Sequence, residues 1–172
     1  MTPIIRCATP ADVNTIQQLA QAIWEPTYEP ILPAGQAKYM LELLFEETKI
    51  KEQISTGVQI YLLLYAEGNP AGFAAYAPRL ENPDVYKLHK LYCLPATQGK
   101  GHGKMLVQAV EQAVLIAGKE TLELNVNRKN KAKQFYERMG YTIAYDEDIP
   151  IGPYWMNDHV MRKILKRDPS LI

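Results

Sequence analysis

The sequence predicts an α/β fold in which a mixed sheet carries helices on its faces. Apolar runs typical of strands and amphipathic stripes typical of helices both occur along the chain. In the second half they follow the order strand, helix, strand, helix, which is typical of sheets with parallel neighbours. A glycine-rich segment, residues 98–104, joins one of these strands to one of these helices. We expect this segment to belong to the functional site.

The composition limits the classes of protein to which the chain can belong. The chain has 172 residues, of which 47% are hydrophobic and 22% charged, so we expect one globular domain over residues 1–172. A formal net charge of zero argues against broad binding to nucleic acid or an anionic membrane, which needs a basic face. No signal peptide or membrane helix is visible. The two cysteines, Cys7 and Cys93, are predicted to be free thiols of a cytoplasmic protein.

The first elements combine a strand with an amphipathic helix. Residues 4–7 form the first strand, and Thr9 followed by Pro10 marks the start of a helix. The apolar stripe of that helix is Val13, Ile16, Leu19, Ala20 and Ile23. Residues 24–33 contain three prolines, so we predict an irregular segment there.

Two helices and a hairpin come next. The helices are predicted over residues 34–45 and 48–55. The apolar runs 58–66 and 72–77 flank a turn signal at 67–70 and therefore predict a β-hairpin.

The second half alternates between strands and helices. Its predicted elements are a strand over 85–94, a helix over 103–117, a strand over 121–126, a helix over 130–139 and strands over 141–145 and 158–164. Residues 146–157 are rich in proline, glycine and aromatic side chains, so we expect a loop there.

The glycine-rich segment has the features of an anion site. Glycines let backbone N–H groups approach a ligand without a Cβ in the way. The start of a helix adds N–H donors that have no acceptor inside the helix, and the positive end of its dipole. Residues 98–104 are therefore predicted to bind phosphate or pyrophosphate.

Glycine spacing decides which phosphate loop this is. A P-loop would need glycine in place of Gln98 and serine or threonine in place of Met105. A dinucleotide fingerprint would need glycine in place of Lys104. The pattern that fits is Q-x-x-G-x-G, formed by Gln98, Gly101 and Gly103. The simpler alternative is an ordinary glycine-rich turn.

Together with the strand before it and the run Phe-Tyr-Glu-Arg-Met-Gly-Tyr at 135–141, this loop resembles the core of the GNAT N-acetyltransferase superfamily. The resemblance covers residues 88–95, 98–104 and 122–141 directly. It implies a mostly antiparallel sheet of six to seven strands, splayed between strands four and five, with helices on both faces. It also implies acetyl-CoA as co-substrate and an amine as acceptor. A homodimer follows from family analogy only.

The same resemblance assigns the cofactor contacts. Backbone groups of Leu91, Tyr92 and Cys93 would bind the pantetheine arm and thioester. Asn130 lies near the asparagine that contacts the cofactor in relatives, although its spacing to Tyr136 is one residue short. Asn127 is an alternative, and Asn130 also suits a helix cap. The pyrophosphate would be held by Gln98, Gly99, Lys100, Gly101, His102, Gly103 and Lys104.

Two side chains are predicted to move protons. By resemblance, Tyr136 protonates the leaving thiolate, a reaction for which a phenol of pKa about 10 is suited; its alternative role is packing beside Phe135. His89 occupies a strand position where many relatives have a proton-accepting glutamate, and an imidazole can do that work. The other candidates for the base are Glu25, Glu29, Asp146 and His159.

The acceptor is predicted to bind at the aromatic segments 24–33 and 151–159. The predicted contacts are Trp24, Glu25, Tyr28, Tyr154 and Trp155. The alternative is that these aromatic rings only pack against the sheet. Residues 154–163 and 39–42 are similar to PaiA-type polyamine acetyltransferases.

His89 and Cys93 share a strand face without further ligands, so no metal site is predicted.

The predicted function is transfer of acetyl from acetyl-CoA to a primary amine by direct attack in a ternary complex. The acceptor is predicted to be a small molecule such as a polyamine, with no nucleic acid or membrane partner. Two alternatives remain open. One is acetylation of a protein or peptide N-terminus, and the other is a non-catalytic acyl-CoA-binding regulator.

Overall fold

The computed structural model describes residues 2–166 and contains seven strands. Hydrogen bonding orders them as β1-β2-β3-β4-β5-β7-β6. Their bounds are β1 Ile4–Cys7, β2 Ile60–Ala66, β3 Asn69–Pro78, β4 Val85–Cys93, β5 Thr121–Asn127, β6 Thr142–Ile151 and β7 Tyr154–Ile164. The sheet is mostly antiparallel, and β4 and β5 are parallel. The predicted mixed sheet is therefore confirmed.

In the described part of the chain, five α-helices accompany the strands in the predicted order. They are α1 Val13–Tyr28, α2 Gln36–Leu44, α3 Glu47–Thr56, α4 His102–Ile116 and α5 Ala132–Arg138. Within residues 2–166, no helix is long and apolar enough to cross a membrane.

The chain forms two compact units. The first comprises the chain up to Ala75 together with Lys90–Val107, and the second comprises Tyr76–His89 together with the chain from Gln108 onward. In the first unit β1 pairs with β2 antiparallel, from Ile4↔Tyr65 to Cys7↔Leu62. The stripe predicted for α1 is buried, as the three- and four-residue spacing requires.

The end of α1 differs from the prediction. Residues 24–28 are helical, and Pro26 lies inside the helix. Proline removes one helical hydrogen bond, and tertiary packing can offset that loss. Trp24 supplies such packing, because it is 2% exposed and its ring lies 5.8 Å from that of Phe45. The prediction of irregular backbone from residue 24 was therefore wrong for the first half of that segment.

The predicted loop over 146–157 was also wrong, because β6 and β7 form a long hairpin there. Their pairing continues to Ile151↔Tyr154, so the turn has only two residues. Gly152 has φ +56°, the sign that a type II′ turn requires at its first central position. Pro150 is tolerated because β6 is the last strand in the sheet order. Residues 151–159 are thus mostly strand.

The strands of the second unit share one polar face. β4 pairs with β5 from Val85↔Thr121 to Leu88↔Leu124, and β5 pairs with β7 from Thr121↔Ile164 to Asn127↔Asp158. Alternate residues of β5 are apolar and buried: Leu122, Leu124 and Val126. The residues between them, Glu123, Asn125 and Asn127, point to the opposite face.

An ion pair fixes the start of the chain. Asp12 accepts hydrogen bonds from both terminal nitrogens of Arg6, at 2.9 and 2.8 Å, and from the N–H of Thr9 at 2.8 Å. The Arg6 hydrogen bonds, opposed by burial, lower the pKa of Asp12 to about 2. The ionised form of Asp12 is therefore more favourable in the folded chain than in the unfolded chain. This stability is present above the ordinary carboxyl pKa of about 4 and is lost as the pH falls towards 2.

Asp12→Asn should lower the melting temperature at neutral pH. We expect a loss of about 1–2 kcal/mol, less than the pKa shift alone would give because Arg6 is partly exposed to solvent. The difference from the native protein should shrink as the pH falls from about 4 towards 2, because Asp12 of the native protein then becomes increasingly protonated and its ion pair with Arg6 weakens. Thermal unfolding followed by circular dichroism at several pH values measures this difference in melting temperature. Asp84→Asn is the control, since Asp84 pairs with Lys119 but is 79% exposed. An equal loss in the two variants would contradict a special role for Asp12.

Candidate functional site

The glycine-rich segment is a series of tight turns in the first unit. Thr97 donates to the Leu94 carbonyl through its N–H, at 2.9 Å, and its hydroxyl, at 2.7 Å. The N–H of Gln98 donates to Pro95 at 3.2 Å, and that of Lys100 to Thr97 at 3.3 Å. The backbone path into α4 is therefore set by local hydrogen bonds.

Two glycines in this path need a left-handed backbone. Gly99 has φ +84° and Gly101 has φ +79°, conformations that cost a residue with a Cβ about 1–2 kcal/mol. The N–H of Met105 donates to the Gly101 carbonyl at 3.0 Å, which marks the first helical bond of α4. The N–H groups of His102, Gly103 and Lys104 precede that bond and have no acceptor inside the helix. These features fit an anion at the start of α4.

His102 adds a feature that the sequence did not reveal. The side chain is 4% exposed, and its Nδ1 atom has no hydrogen-bond partner among residues 2–166. A buried ring nitrogen without a partner is uncommon in folded proteins. The start of α4 thus contains one buried ring nitrogen without a hydrogen-bond partner among the described residues, in addition to its backbone N–H groups.

The end of β4 lies tightly against β3. A Cβ on Gly72 would lie 2.8 Å from the Tyr92 carbonyl oxygen and 3.0 Å from Cys93 Sγ, so only glycine fits. The N–H of Leu94 donates to the Ala71 carbonyl at 2.9 Å. Burial raises the pKa of the Cys93 thiol to about 11. Cys7 is exposed, and both cysteines are free thiols, as predicted.

Tyr92 lies at the centre of an aromatic cluster. Its ring centroid is 5.5 Å from Phe73, 5.7 Å from Trp24, 6.1 Å from Phe45 and 6.4 Å from Tyr28. Two predicted acceptor contacts, Trp24 and Tyr28, therefore pack together with a predicted cofactor contact in the first unit. The Tyr92 side chain serves this packing, and its main chain is the part that can serve a cofactor.

An acidic cleft lies beside this cluster. It has a volume of about 940 Å³, and Trp24 and Phe45 form apolar parts of its wall. Lys38 is the cationic side chain among its described lining residues. The carboxylates that line it are those of Glu25, Glu29, Glu42, Glu46 and Glu47. Trp24 Nε1 is buried without a hydrogen-bond partner among the described residues. Because carboxylates outnumber the lysine in its wall, the cleft can attract cations.

Tyr136 belongs to the second unit, where α5 buries it. It is 8% exposed, and its ring lies 5.2 Å from Phe135 and 6.0 Å from Tyr141. The Tyr141 hydroxyl donates to Glu111 at 2.7 Å, and burial followed by this contact raises the pKa of Tyr141.

Both candidate asparagines cap local turns. Asn130 Oδ1 accepts from the N–H of Ala132 at 2.9 Å, and Asn127 Oδ1 accepts from the N–H of Lys129 at 2.9 Å. Asn130 therefore accepts the N–H of the first residue of α5, although the N-cap position of that helix is Lys131. Its cofactor contact stays a prediction.

The candidate bases lie in different surroundings. His89 is exposed on β4. His159 Nδ1 lies 2.5 Å from Asp146 Oδ1, and this hydrogen bond lowers the pKa of Asp146. Tyr154 and Trp155 begin β7, where Trp155 is 57% exposed. Glu25 and Glu29 line the acidic cleft in the first unit.

Asp158 is a buried carboxylate that sequence reasoning missed. It is 5% exposed, and its Oδ2 accepts from Asn125 Nδ2 at 3.2 Å. Its Oδ1 is buried without a hydrogen-bond partner among the described residues, and burial raises the pKa of the carboxyl. On the same face, Glu123 is held by Arg79 and Arg162 at 2.7 and 2.6 Å. The polar alternation along residues 121–127 was the signal that could have revealed this face.

Comparison with known proteins gives consistent matches. The family model for the acetyltransferase (GNAT) domain matches residues 57–143. An uncharacterized N-acetyltransferase of Mycobacterium tuberculosis is 33% identical over 96 residues, which cover 55% of this chain and 60% of that protein. The chain thus matches less than two thirds of that relative's length.

Two solved structures share the fold. The PaiA N-acetyltransferase of Thermoplasma acidophilum, crystallised in complex with coenzyme A, has a TM-score of 0.81 at 23% identity, covering 95% of this chain and 99% of that chain. The ribosomal-protein-S18-alanine N-acetyltransferase of Escherichia coli has a TM-score of 0.71 at 19% identity, covering 99% of both chains. At these identities the likeness shows the fold alone.

Proposed function

Because the chain belongs to the GNAT acetyltransferase family, whose domain model matches residues 57–143, we propose that it transfers the acetyl group of acetyl-CoA to a primary amine. The observation that carries the proposal is the turn into α4. Two glycines with positive φ lead into three N–H groups that have no helical acceptor. A diphosphate needs several such donors, and the helix dipole favours its charge.

The donor would be bound by the first unit. The pyrophosphate would lie on the N–H groups at the start of α4, where the exposed ammonium groups of Lys100 and Lys104 add positive charge. Main-chain groups of Leu91, Tyr92 and Cys93 would hold the pantetheine arm and the thioester. Packing of β4 against Gly72 and of Tyr92 in the aromatic cluster supports this role, because it fixes the main chain of the strand.

The reaction we propose is a direct transfer. The amine nitrogen attacks the thioester carbonyl carbon, the new C–N bond forms and the C–S bond breaks. The nitrogen loses one proton, and the coenzyme A thiolate gains one from the Tyr136 hydroxyl. Burial of Tyr136 supports this role, since general acids work best where water does not compete.

We further propose that the acceptor is a small amine such as a polyamine, bound in the acidic cleft. Five lining carboxylates stand against one lysine, so the cleft favours a cation. Trp24 and Phe45 form apolar parts of the wall, against which the methylene chain of such a molecule would pack. Charge and apolar surface together are what a polyamine requires.

Gly101→Ala should weaken acetyl-CoA binding. The backbone at φ +79° would be strained by about 1–2 kcal/mol, and relief of that strain would move the N–H groups at the start of α4. We expect about a tenfold increase in the acetyl-CoA dissociation constant, measured by calorimetry. Gly118→Ala is the matched control, because Gly118 has φ +81° and open space around it but lies at the other end of α4. Equal affinities in the two variants would remove the turn from the donor site.

Tyr136→Phe should lower kcat by roughly 10–100-fold with little change in the acetyl-CoA dissociation constant, since only a proton donor is lost. Steady-state thiol release at saturating acceptor measures it. Tyr141→Phe provides the comparison, because it removes a neighbouring hydroxyl that bonds to Glu111. That variant should unfold at a lower temperature and keep its kcat. An unchanged kcat in the Tyr136 variant would exclude it as the acid.

The acceptor class can be tested with a thiol-release assay over polyamines, amino acids, aminoglycosides and peptides. The double variant Glu25→Gln/Glu29→Gln should raise KM for a polyamine by roughly tenfold, because two charges leave the cleft. Glu52→Gln/Glu67→Gln removes two charges outside the cleft and should leave KM unchanged. A preference for peptides would indicate N-terminal acetylation. Binding of acetyl-CoA without turnover of any amine would indicate a regulator.

A further inference from the structure

We propose that the protein acetylates itself on Lys38, whose side-chain amine belongs to the wall of the acidic cleft. This activity rests on the transfer reaction proposed above and adds an acetyl acceptor that is part of the chain. The segments on which it depends are α1, α2, the end of β4 and the glycine-rich turn, and all of them lie in the first unit.

Among the described residues that line the cleft, Lys38 supplies the primary amine. The residues that α2 contributes to the wall are Ala37, Lys38, Leu41 and Glu42. Lys38 and Glu42 are about one helical turn apart and therefore share a face of α2. With a volume of about 940 Å³, the cleft is in the size range of sites that enclose a small molecule. The lysine side chain therefore has room to reorient within it.

The Lys38 amine is not held in place. Within residues 2–166, its Nζ atom makes no hydrogen bond or ion pair, although five carboxylates line the same cleft. Attraction to these carboxylates favours orientations of the side chain that point into the cleft. Lys90 in the same unit shows the contrast, because it is 7% exposed and donates to Gln59 at 2.7 Å. Lys38 thus keeps the rotamer freedom that a nucleophile needs to approach a bound donor.

The wall of the cleft also contacts the strand that is proposed to hold the thioester. Trp24 and Phe45 line the cleft, and their ring centroids lie 5.7 and 6.1 Å from that of Tyr92. The main chain of Tyr92 is part of the proposed donor site. An amine in this wall is therefore a tethered competitor of the free acceptor. Tethering gives it a high effective concentration, because no second molecule has to be bound.

The chemical step is the one proposed for a free amine. The Lys38 ammonium gives one proton to a cleft carboxylate such as that of Glu42, which passes it to solvent. The neutral nitrogen attacks the thioester carbonyl carbon, so that a C–N bond forms and the C–S bond breaks. The nitrogen then loses a second proton, and the coenzyme A thiolate gains one. The products are N-acetyl-lysine, the coenzyme A thiol and one proton released to solvent.

Acetylation of Lys38 would change the charge of the cleft. The ammonium becomes a neutral amide, which leaves five carboxylates and no cation among the described lining residues. A more negative cleft attracts a cationic acceptor more strongly. We expect KM for a polyamine to fall about threefold after modification. Self-acetylation would therefore adapt the cleft to its own acceptor.

Incubation of the full chain with acetyl-CoA and no free amine, followed by peptide mass spectrometry, tests the proposal. Acetyl should accumulate on Lys38 at least about tenfold faster than on Lys51, an exposed lysine of α3 outside the cleft. The first-order rate constant should not depend on protein concentration, because the reaction is intramolecular. Saturating spermidine should slow it, because both amines need the same cleft. Gly101→Ala should slow it at low acetyl-CoA concentration, and Gly118→Ala should not.

Two substitutions of Lys38 separate acetylation from charge. Lys38→Arg keeps the positive charge and removes the primary amine, so residue 38 should carry no acetyl. Lys38→Gln has the charge of the acetylated side chain, and its KM for spermidine should be about threefold lower than that of Lys38→Arg. Both variants should fold with little change in melting temperature, because Lys38 is exposed.

Other results would overturn the role of Lys38. They are acetylation no faster than on Lys51, a rate constant proportional to protein concentration, and no protection by spermidine. Equal KM values in the two Lys38 variants would overturn the effect on the cleft. Failure of the transfer reaction itself is distinguishable, because the native protein would then release no thiol with any free amine. Thiol release with a free amine but no acetyl on Lys38 would remove self-acetylation alone.

Discussion

Burial of charge on one face of the second unit is a constraint that its strands must satisfy with side-chain hydrogen bonds. Glu123 is 3% exposed, and Arg79 and Arg162 hold its two carboxylate oxygens. That arrangement offsets desolvation with charge-assisted hydrogen bonds, so Glu123 can serve the fold. Asp158 is buried to a similar extent but has an amide as its hydrogen-bond partner. The fold thus stabilises its two buried carboxylates differently, since two arginines contact Glu123 and one amide contacts Asp158.

In the first unit, side-chain packing restricts the position of the main-chain groups at the end of β4. Tyr92 is packed among four aromatic rings, and Lys90 donates to Gln59 at 2.7 Å while lying over the rings of Phe45 and Tyr61. Side chains at the end of β4 are thereby committed to packing. In the proposed donor site, main-chain groups of this strand and of the start of α4 would contact the ligand. Recognition by main-chain groups depends on backbone conformation more than on residue identity. The glycines, which permit that conformation, were therefore especially informative in the sequence.

Much of the fold could be predicted from the sequence, because periodicity reports burial directly. The order of strands and helices, the glycine turn and the buried stripe of α1 were all predicted correctly. The errors share one cause. Pro26 in α1 and Pro150 in β6 were taken as breaks, yet each costs one hydrogen bond that packing or an edge position makes tolerable. The polar face with Asp158 was missed because a pairing register, which local pattern does not give, brings residues from β5, β6 and β7 together.

The thiol of Cys93 has a consequence for labelling the protein. With a pKa of about 11, its reactive thiolate fraction near neutral pH is on the order of one part in ten thousand. Cys7 is exposed on β1, so a maleimide or a disulfide reagent has one accessible target in the first unit. A fluorophore placed there would report on the protein without modifying the strand that precedes the glycine turn. The native chain thus already has the single attachment site that spectroscopic measurements usually require engineering to obtain.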